Sequence, residues 1–278
     1  MPLDQIDVDE DQNEEKNMSF LNHLDELRGH LFRSVIAIVA LFIIAFIFPN
    51  IIFEEILFGP LSADFPTYKL ICFVSQKIGV GDTFCINEIN LALQNTAFLG
   101  KFLTHLKVSF VAGFIVAFPF IINEIWRFVK PALSKSEKSY ARGLIFFCSF
   151  LFFLGVCFGY FVIAPFTINF VASYGAIDLV KDDIQLGSYI GFITSIVIAA
   201  GLMFEMPIFA YFFSKIGILT PDILKQYRKH AIVVMLVISA IVTPPDVFSQ
   251  VLLSMPLYFL YEISIIISAR VNKNIDND

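Results

Sequence analysis

The sequence contains few of the side chains from which catalytic and metal sites are usually built. Its four histidines fall in separate segments, and none belongs to an HExxH pair or to another spacing typical of metal ligands. The stretch LGKF at Leu99–Phe102 lacks the upstream glycine and the following serine or threonine of a phosphate-binding loop, and no G-x-S-x-G sequence is present. These absences predict a protein that is not an enzyme, with no catalytic residues, no metal site and no cofactor.

Charged side chains are also scarce, since they make up only 16% of the 278 residues, while 57% of the residues are hydrophobic and 33 are phenylalanine. The mean hydropathy is +0.76. A soluble domain of this length needs a far more polar surface, so the composition indicates a polytopic membrane protein. The sequence starts with acidic rather than basic residues and has no small-residue cleavage site after the first apolar run near Leu31. We therefore expect no cleavable signal peptide.

The net charge of −6 is concentrated at the N-terminus. Seven acidic residues lie within the first 15 positions, and the first basic residue is Lys16. A segment with this composition cannot bury an apolar core, so residues 1–18 are predicted to form a disordered acidic tail.

A span needs about 20 apolar residues to cross the hydrocarbon core, and six apolar segments are candidate transmembrane helices. Fourteen of the nineteen lysines and arginines lie in the N-terminal tail and the start of the first span, the second and fourth connections and the C-terminal tail. By the positive-inside rule, this side and both termini are cytoplasmic, including the tail at 269–278. The predicted spans are about 31–49, 102–122, 143–166, 188–213, 230–244 and 247–268.

The external segment at about 50–101 is the largest connection between predicted spans, and it contains Cys72 and Cys85. In an oxidising compartment these two residues could form a disulfide, and two unpaired cysteines are the alternative. Cys148 and Cys157 fall in the third span, where small packing residues are the simplest interpretation.

Four prolines are expected to shape the spans. The fifth span has only about 13 apolar residues, or roughly 20 Å of helix, and then Pro244 and Pro245 turn the chain directly into the sixth. Pro119 and Pro207 lie inside predicted spans, where each removes a backbone donor and is expected to kink the helix.

Glu205 is a carboxylate within the apolar run of the fourth span, two residues before Pro207. Spacings of three and four residues place it on one helix face with Gly191, Thr194 and Gly201. Helix packing explains the small residues of this face, whereas an ionisable residue inside a membrane is by default a functional candidate.

Two polar segments adjoin the predicted spans on the cytoplasmic side. The first, FLNHLDELRGHLFRS, has an apolar face at helical spacing and could simply lie on the membrane surface as an interfacial helix. The second, NEIWRFVKPALSKSEKS, places aromatic residues among four basic ones, for which membrane anchoring is also a sufficient explanation.

Four stretches together resemble the TatC family, the receptor subunits of the twin-arginine protein translocase. They occur in the family's order, so the resemblance extends from about residue 19 to 268, and it implies six transmembrane helices in a kinked, concave, glove-like all-α bundle. It also implies a multi-pass protein of the bacterial cytoplasmic membrane, without nucleic-acid partners, working in a multimeric complex in the lipid bilayer. The stretches are His23–Leu31, Pro119–Lys138, Phe204–Ile208 and Thr243–Glu262.

The resemblance also implies roles for individual residues. Glu26 and Glu137 correspond to carboxylates near the twin arginines of the signal peptides of folded cargo, with Arg28 and Phe128 in the same patch. Carboxylates suit this task because they accept paired hydrogen bonds from a guanidinium group. Glu205, Asp246 and Gln250 correspond to polar positions where the single-span subunits TatA and TatB are expected to dock. Gly29 and His30 depart from the family pattern, which is usually basic after the arginine.

A different function remains open on the residues alone. A secondary transporter or ion-coupled carrier could use Glu205 as an intramembrane proton or cation site. Carriers of this kind typically contain an internal repeat with matched broken helices, and no repeat is evident between the first three and the last three predicted spans. The main hypothesis is therefore a translocase subunit driven by the proton-motive force, with the carrier as the alternative.

Overall fold

The computed structural model describes residues 20–79, 85, 92–129, 141–173, 183–242 and 247–275. Within these ranges the chain is mostly helical. The predicted tail at 1–18 and the residues Glu137, Pro244, Pro245 and Asp246 lie outside them. The helices are α1 (Phe20–Ile47), α2 (Pro66–Ile78), α3 (Gly100–Val129), α4 (Ala141–Phe158), α5 (Ala164–Ser173), α6 (Leu186–Met203), α7 (Met206–Lys215), α8 (Pro221–Gln226), α9 (Arg228–Val242) and α10 (Val247–Ile275).

Five segments of the described chain are long and apolar enough to cross a membrane. They agree with five of the six predicted spans, although most extend further at one end. The predicted fifth span corresponds to α9, whose 15 residues give about 22 Å of helix, less than a hydrocarbon core of about 30 Å. The five segments are Asp25–Ile47, Gly100–Val129, Gly143–Ser173, Leu186–Lys215 and Gln250–Lys273.

The prediction of an all-α protein needs one correction. Two three-residue strands, β1 (Ala92–Gln94) and β2 (Asp183–Gln185), pair in parallel and link the two connections that precede α3 and α6. Side chains continue the link, because Gln185 Nε2 lies 3.4 Å from Thr96 Oγ1. Strands this short carry no periodicity that a hydrophobic pattern could reveal.

A proline also shapes the third long segment. A π-helical turn, Gly159–Ile163, separates α4 from α5, and Pro165 is the second residue of α5. Pro165 has no N–H to donate to the carbonyl four residues earlier, which belongs to Phe161. The hydroxyl of Thr67, at the start of α2, donates to that carbonyl instead. The irregular helix is thus stabilised by a donor from the external segment.

The predicted kink at Pro207 is a complete break in the helix. α6 ends at Met203, Phe204 and Glu205 form a turn, and α7 starts at Met206 with the proline in its first turn. Pro119, in contrast, lies within the unbroken helix α3. Of these two predicted kinks, only the one at Pro207 interrupts a helix.

Glycines allow two pairs of helices to approach closely. A Cβ atom at Gly113 would lie 2.6 Å from the backbone nitrogen of Phe42, where α1 crosses α3. One at Gly155 would lie 2.5 Å from the carbonyl oxygen of Ala200, where α4 crosses α6. Both contacts involve backbone atoms, which cannot move aside as a side chain can. The helices can therefore approach this closely only because glycine has no side chain at these two positions.

Tyrosine hydroxyls fasten the external segment onto the long helices. Tyr189 on α6 donates to the carbonyl of Leu57 at 2.7 Å, and Tyr160 donates to that of Ile56. Tyr68 on α2 lies 3.0 Å from the carbonyl oxygen of Pro60 and 3.1 Å from that of Pro165, and burial raises its pKa. Cys72 and Cys85 are joined by a disulfide within the same segment.

The helix crossing at Gly155 leads to a stability prediction. Gly155→Ala would push α4 away from α6 and should cost about 1–3 kcal/mol, as overpacking typically does. Gly143→Ala, on the same helix, is the matched control because no atom lies within 4 Å of its added Cβ. Thermal unfolding in detergent should show a lower midpoint for Gly155→Ala alone, and equal midpoints for the two variants would contradict the packing argument.

Candidate functional site

Three of the four residues proposed to contact a signal peptide are described by the structure. Glu26 and Arg28 are exposed near the start of α1, and Phe128 is half-buried in the last turn of α3. Glu137 lies outside the described residues. In the structure the first half of α1 contacts the end of α3, and the side chain of Glu26 is exposed to solvent.

The centre of this region is a carboxylate that the sequence argument overlooked. Glu124 on α3 is only 1% exposed, and its Oε2 atom lies 2.7 Å from Nδ1 of His30 on α1. Arg33 Nη1 is 3.5 Å from the same oxygen, and Arg127 Nη1 is 3.2 Å from Oε1. One buried carboxylate thus has three nitrogen-bearing partners, two of them from α1.

His30 connects this ion pair to the aromatic residue of the site. Its ring makes an edge contact with that of Phe128, with centroids 6.4 Å apart and an interplanar angle of 63°. Glu26 precedes His30 by four residues and therefore lies on the same face of α1. Phe128 follows Glu124 by four residues and shares its face of α3 in the same way. The two helices present matching faces at this end.

The sequence did contain a signal for Glu124. The argument that marked Glu205, a carboxylate inside an apolar helix, applies equally to Glu124, because α3 runs on to Val129. The predicted span ended at residue 122, which assigned Glu124 to a solvated connection. The helix extends seven residues beyond the predicted span, and the buried carboxylate lies in that extension.

Glu205 is enclosed by helices rather than displayed on an open face. It is 5% exposed, and its carboxyl group lies against the thiol of Cys148 and the backbone of Phe152, both on α4. Oε1 has no hydrogen-bond partner among the residues that the structure describes. Gly201, one turn earlier, packs against the rings and methyl groups of Phe152 and Val156, so the small-residue face of α6 meets α4.

A cavity of about 290 Å³ opens between α3, α4, α6 and the π-helical turn at Ile51–Leu57. Its lining is apolar, including Val108, Ile115, Val156 and Ile193. The hydroxyl of Thr194, which also lines it, donates its hydrogen to the carbonyl of Ile190 at 2.7 Å. The cavity is therefore suited to an apolar occupant.

Gln250 joins two helices of this chain. Its Nε2 atom donates to the carbonyl of Leu236 at 3.0 Å and so ties the start of α10 to α9. Arg228 and Glu262 make a second tie between the same helices, with Nη2 and Oε2 2.8 Å apart. Further along α10, the hydroxyl of Ser268 meets that of Ser214 on α7 at 2.7 Å. Polar side chains of α10 thus hold it against α9 and α7.

Metal-ligating side chains are not clustered in the part of the chain that the structure describes. Within the described ranges, no three side chains of histidine, cysteine, aspartate or glutamate are grouped so that they could hold a metal ion.

Comparison with known proteins gives consistent similarities along the chain. Residues 22–256 match the family model described as Sec-independent protein translocase protein (TatC). The protein of that name from Blattabacterium is 40% identical over 267 residues, which cover 94% of this chain and 99% of the relative. The one from Escherichia coli K12 is 30% identical over 254 residues, with 91% and 89% covered.

Two crystal structures described as the twin-arginine translocase receptor TatC are similar to the structure. The first has a TM-score of 0.68 at 34% identity, covering 88% of this chain and 97% of the other. The second has a TM-score of 0.70 at 36% identity, covering 88% and 98%. At these identities the similarity extends to sequence as well as fold.

The hydrogen bond of Gln250 gives the prediction for this site. Gln250→Ala removes the donor to the Leu236 carbonyl at a half-buried position, and such a hydrogen bond typically contributes about 0.5–1.5 kcal/mol. Hydrogen–deuterium exchange should therefore be faster in α9. The control is Ser254→Ala, since Ser254 donates only to Val251 of its own helix. If α9 exchanges equally fast in both variants, Gln250 does not hold it.

Proposed function

Because the chain belongs to the TatC family of Sec-independent protein translocase proteins, we propose that it is the subunit that binds the twin-arginine signal peptides of folded cargo. The observation that carries the proposal is the similarity over nearly the whole chain to crystal structures of the twin-arginine translocase receptor. The chain is a multi-pass membrane protein, and the family is a protein translocase component rather than an enzyme family.

The exposed carboxylate of Glu26 is the proposed partner of one arginine of the signal peptide. A carboxylate accepts two parallel hydrogen bonds from a guanidinium group, which distinguishes arginine from lysine. Glu26 is exposed and has no hydrogen bond or ion pair to another described residue, so it is available to a ligand. Glu137 is the proposed second carboxylate, and Phe128, half-buried at the end of α3, offers an apolar surface.

The proposed topology has six spans with both termini in the cytoplasm. In this arrangement α9 is the fifth span, and its length of about 22 Å requires a locally thin bilayer. The asymmetric distribution of lysine and arginine supports the orientation. The carboxylate site at the start of α1 then faces the compartment where folded cargo is made.

TatA- and TatB-type subunits are the proposed partners within the membrane. The cavity between α3, α4 and α6 has a mostly apolar lining, which suits apolar side chains of a transmembrane helix. Asp246 and Gln250, at the connection between α9 and α10, are the proposed polar contacts. Glu205 is buried against α4, so a partner helix would reach it only if α4 moved away.

Replacement of the two proposed receptor carboxylates tests the function. Glu26→Ala and Glu137→Ala should each weaken crosslinking to a twin-arginine signal peptide, because a guanidinium partner is lost, while membrane insertion stays intact. Asp25→Ala is the matched control, since Asp25 is an exposed acid adjacent to Glu26 in sequence. Unchanged crosslinking in both glutamate variants would refute the assignment.

Substitutions at Glu205 distinguish the translocase hypothesis from the ion-coupled carrier hypothesis. A glutamine cannot exchange a proton but keeps the shape and hydrogen-bonding groups of the side chain. We expect Glu205→Gln to retain more export of a folded, signal-bearing reporter than Glu205→Leu in cells that lack their own subunit. A carrier that uses Glu205 as its proton site would instead be inactivated by both substitutions.

A further inference from the structure

Beside the proposed receptor residues, Glu124 of α3 contacts His30 and Arg33 of α1, and the contact with His30, at 2.7 Å, is the shorter of the two. We propose that Glu124 is a positioning residue for signal-peptide recognition, which acts through His30 to fix Glu26 relative to Phe128. The inference rests on the proposed function and adds to it two residues that the resemblance did not assign.

The geometry of the two helices explains how one contact can set the site. α1 and α3 are antiparallel, since His30 meets Glu124 at one end and the ring of Phe46 stacks on that of His105 at the other, with centroids 4.1 Å apart. Glu26 lies four residues beyond His30, and Phe128 lies four residues beyond Glu124. Four residues correspond to about 6 Å of helix. Both receptor residues are therefore displaced by the same distance, in the same direction, from one fixed contact.

The contact is strong enough to hold the register. Glu124 is 1% exposed and His30 is 19% exposed, so their interaction at 2.7 Å is shielded from solvent. Removing one partner from a buried polar pair leaves the other desolvated, which is destabilising. The close approach of Gly113 to the backbone of Phe42 fixes the helices at mid-length, and the ion pair fixes them at the receptor end.

Direct binding of the ligand by Glu124 does not fit the same observations. Its two oxygens already meet His30, Arg33 and Arg127, and the side chain offers almost no surface to another molecule. The side chains of Arg33 and Arg127, 60% and 58% exposed, lie on the outside of the cluster and would repel an approaching guanidinium. Glu26, which is exposed and free of such neighbours, is the better site for it.

The test measures the affinity of the full chain in lipid nanodiscs for a fluorescent twin-arginine signal peptide and for a twin-lysine version. We expect Glu124→Ala and His30→Ala each to weaken twin-arginine binding about tenfold, or about 1.4 kcal/mol. Discrimination against the twin-lysine peptide should fall as well. The double variant should bind no worse than either single one, because residues that act as a unit are not additive. Glu124→Gln, which can still accept a hydrogen bond from His30, should restore most of the affinity.

Glu262→Ala is the matched control, since it removes the carboxylate of another interhelical ion pair, with Arg228 at 2.8 Å, away from α1 and α3. It should lower the thermal midpoint and leave peptide affinity unchanged. Equal losses of affinity in Glu124→Ala and Glu262→Ala would reduce Glu124 to a structural role. An equal loss in Glu124→Gln and Glu124→Ala would mean that the peptide senses the charge itself, which also overturns the proposal.

The same measurements separate this inference from the proposed function. Unchanged affinity in Glu26→Ala would count against the receptor site whatever Glu124 does. Reduced affinity in Glu26→Ala together with unchanged affinity in Glu124→Ala and His30→Ala would leave the receptor site in place and refute the positioning role. If Glu124→Ala does not fold, His30→Ala and Glu124→Gln still decide between these outcomes.

Discussion

A backbone carbonyl in an apolar environment needs a hydrogen-bond donor, and this requirement determines how the helices of the protein are connected. Pro165 cannot supply the donor for the carbonyl of Phe161, and the hydroxyl of Thr67 supplies it from another helix. The hydroxyl of Tyr189 does the same for the carbonyl of Leu57, the last residue of the π-helical turn. The irregular points of the fold are therefore the points where its parts are joined.

Glu124 and Glu205, the buried carboxylates among the described residues, also need hydrogen-bond donors, and they differ in how many partners they have. Glu124 has partners at both oxygens, and two of the three groups come from a second helix. Glu205 lies against a thiol and a backbone group, and its Oε1 has no partner among the described residues. Glu124 thus joins two helices in a defined register. Glu205 lies in the turn between α6 and α7, and its backbone N–H donates to the carbonyl of Leu202.

Much of the fold was predictable because the hydropathy of a segment and the effect of a proline on a helix depend only on nearby residues. Five of the long apolar segments and the break at Pro207 follow from composition and from the missing N–H of proline. The partner of Glu124 was not predictable, since it depends on which of two antiparallel helix faces meet, 94 residues apart in sequence. The parallel pairing of Ala92–Gln94 with Asp183–Gln185 is non-local in the same sense.

His30 shows how a departure from a family pattern can have a structural cause. In the sequence, His30 makes the motif around Arg28 less basic than in the family. In the structure, its ring contacts both Glu124 and Phe128. A buried carboxylate with several partners is held in place by the desolvation penalty of separating them, so it can fix geometry but cannot readily accept a new ligand. An exposed carboxylate such as Glu26 has the opposite properties. Recognition of a guanidinium group at a defined position needs an exposed carboxylate that binds the group and a buried carboxylate that holds the exposed one in place.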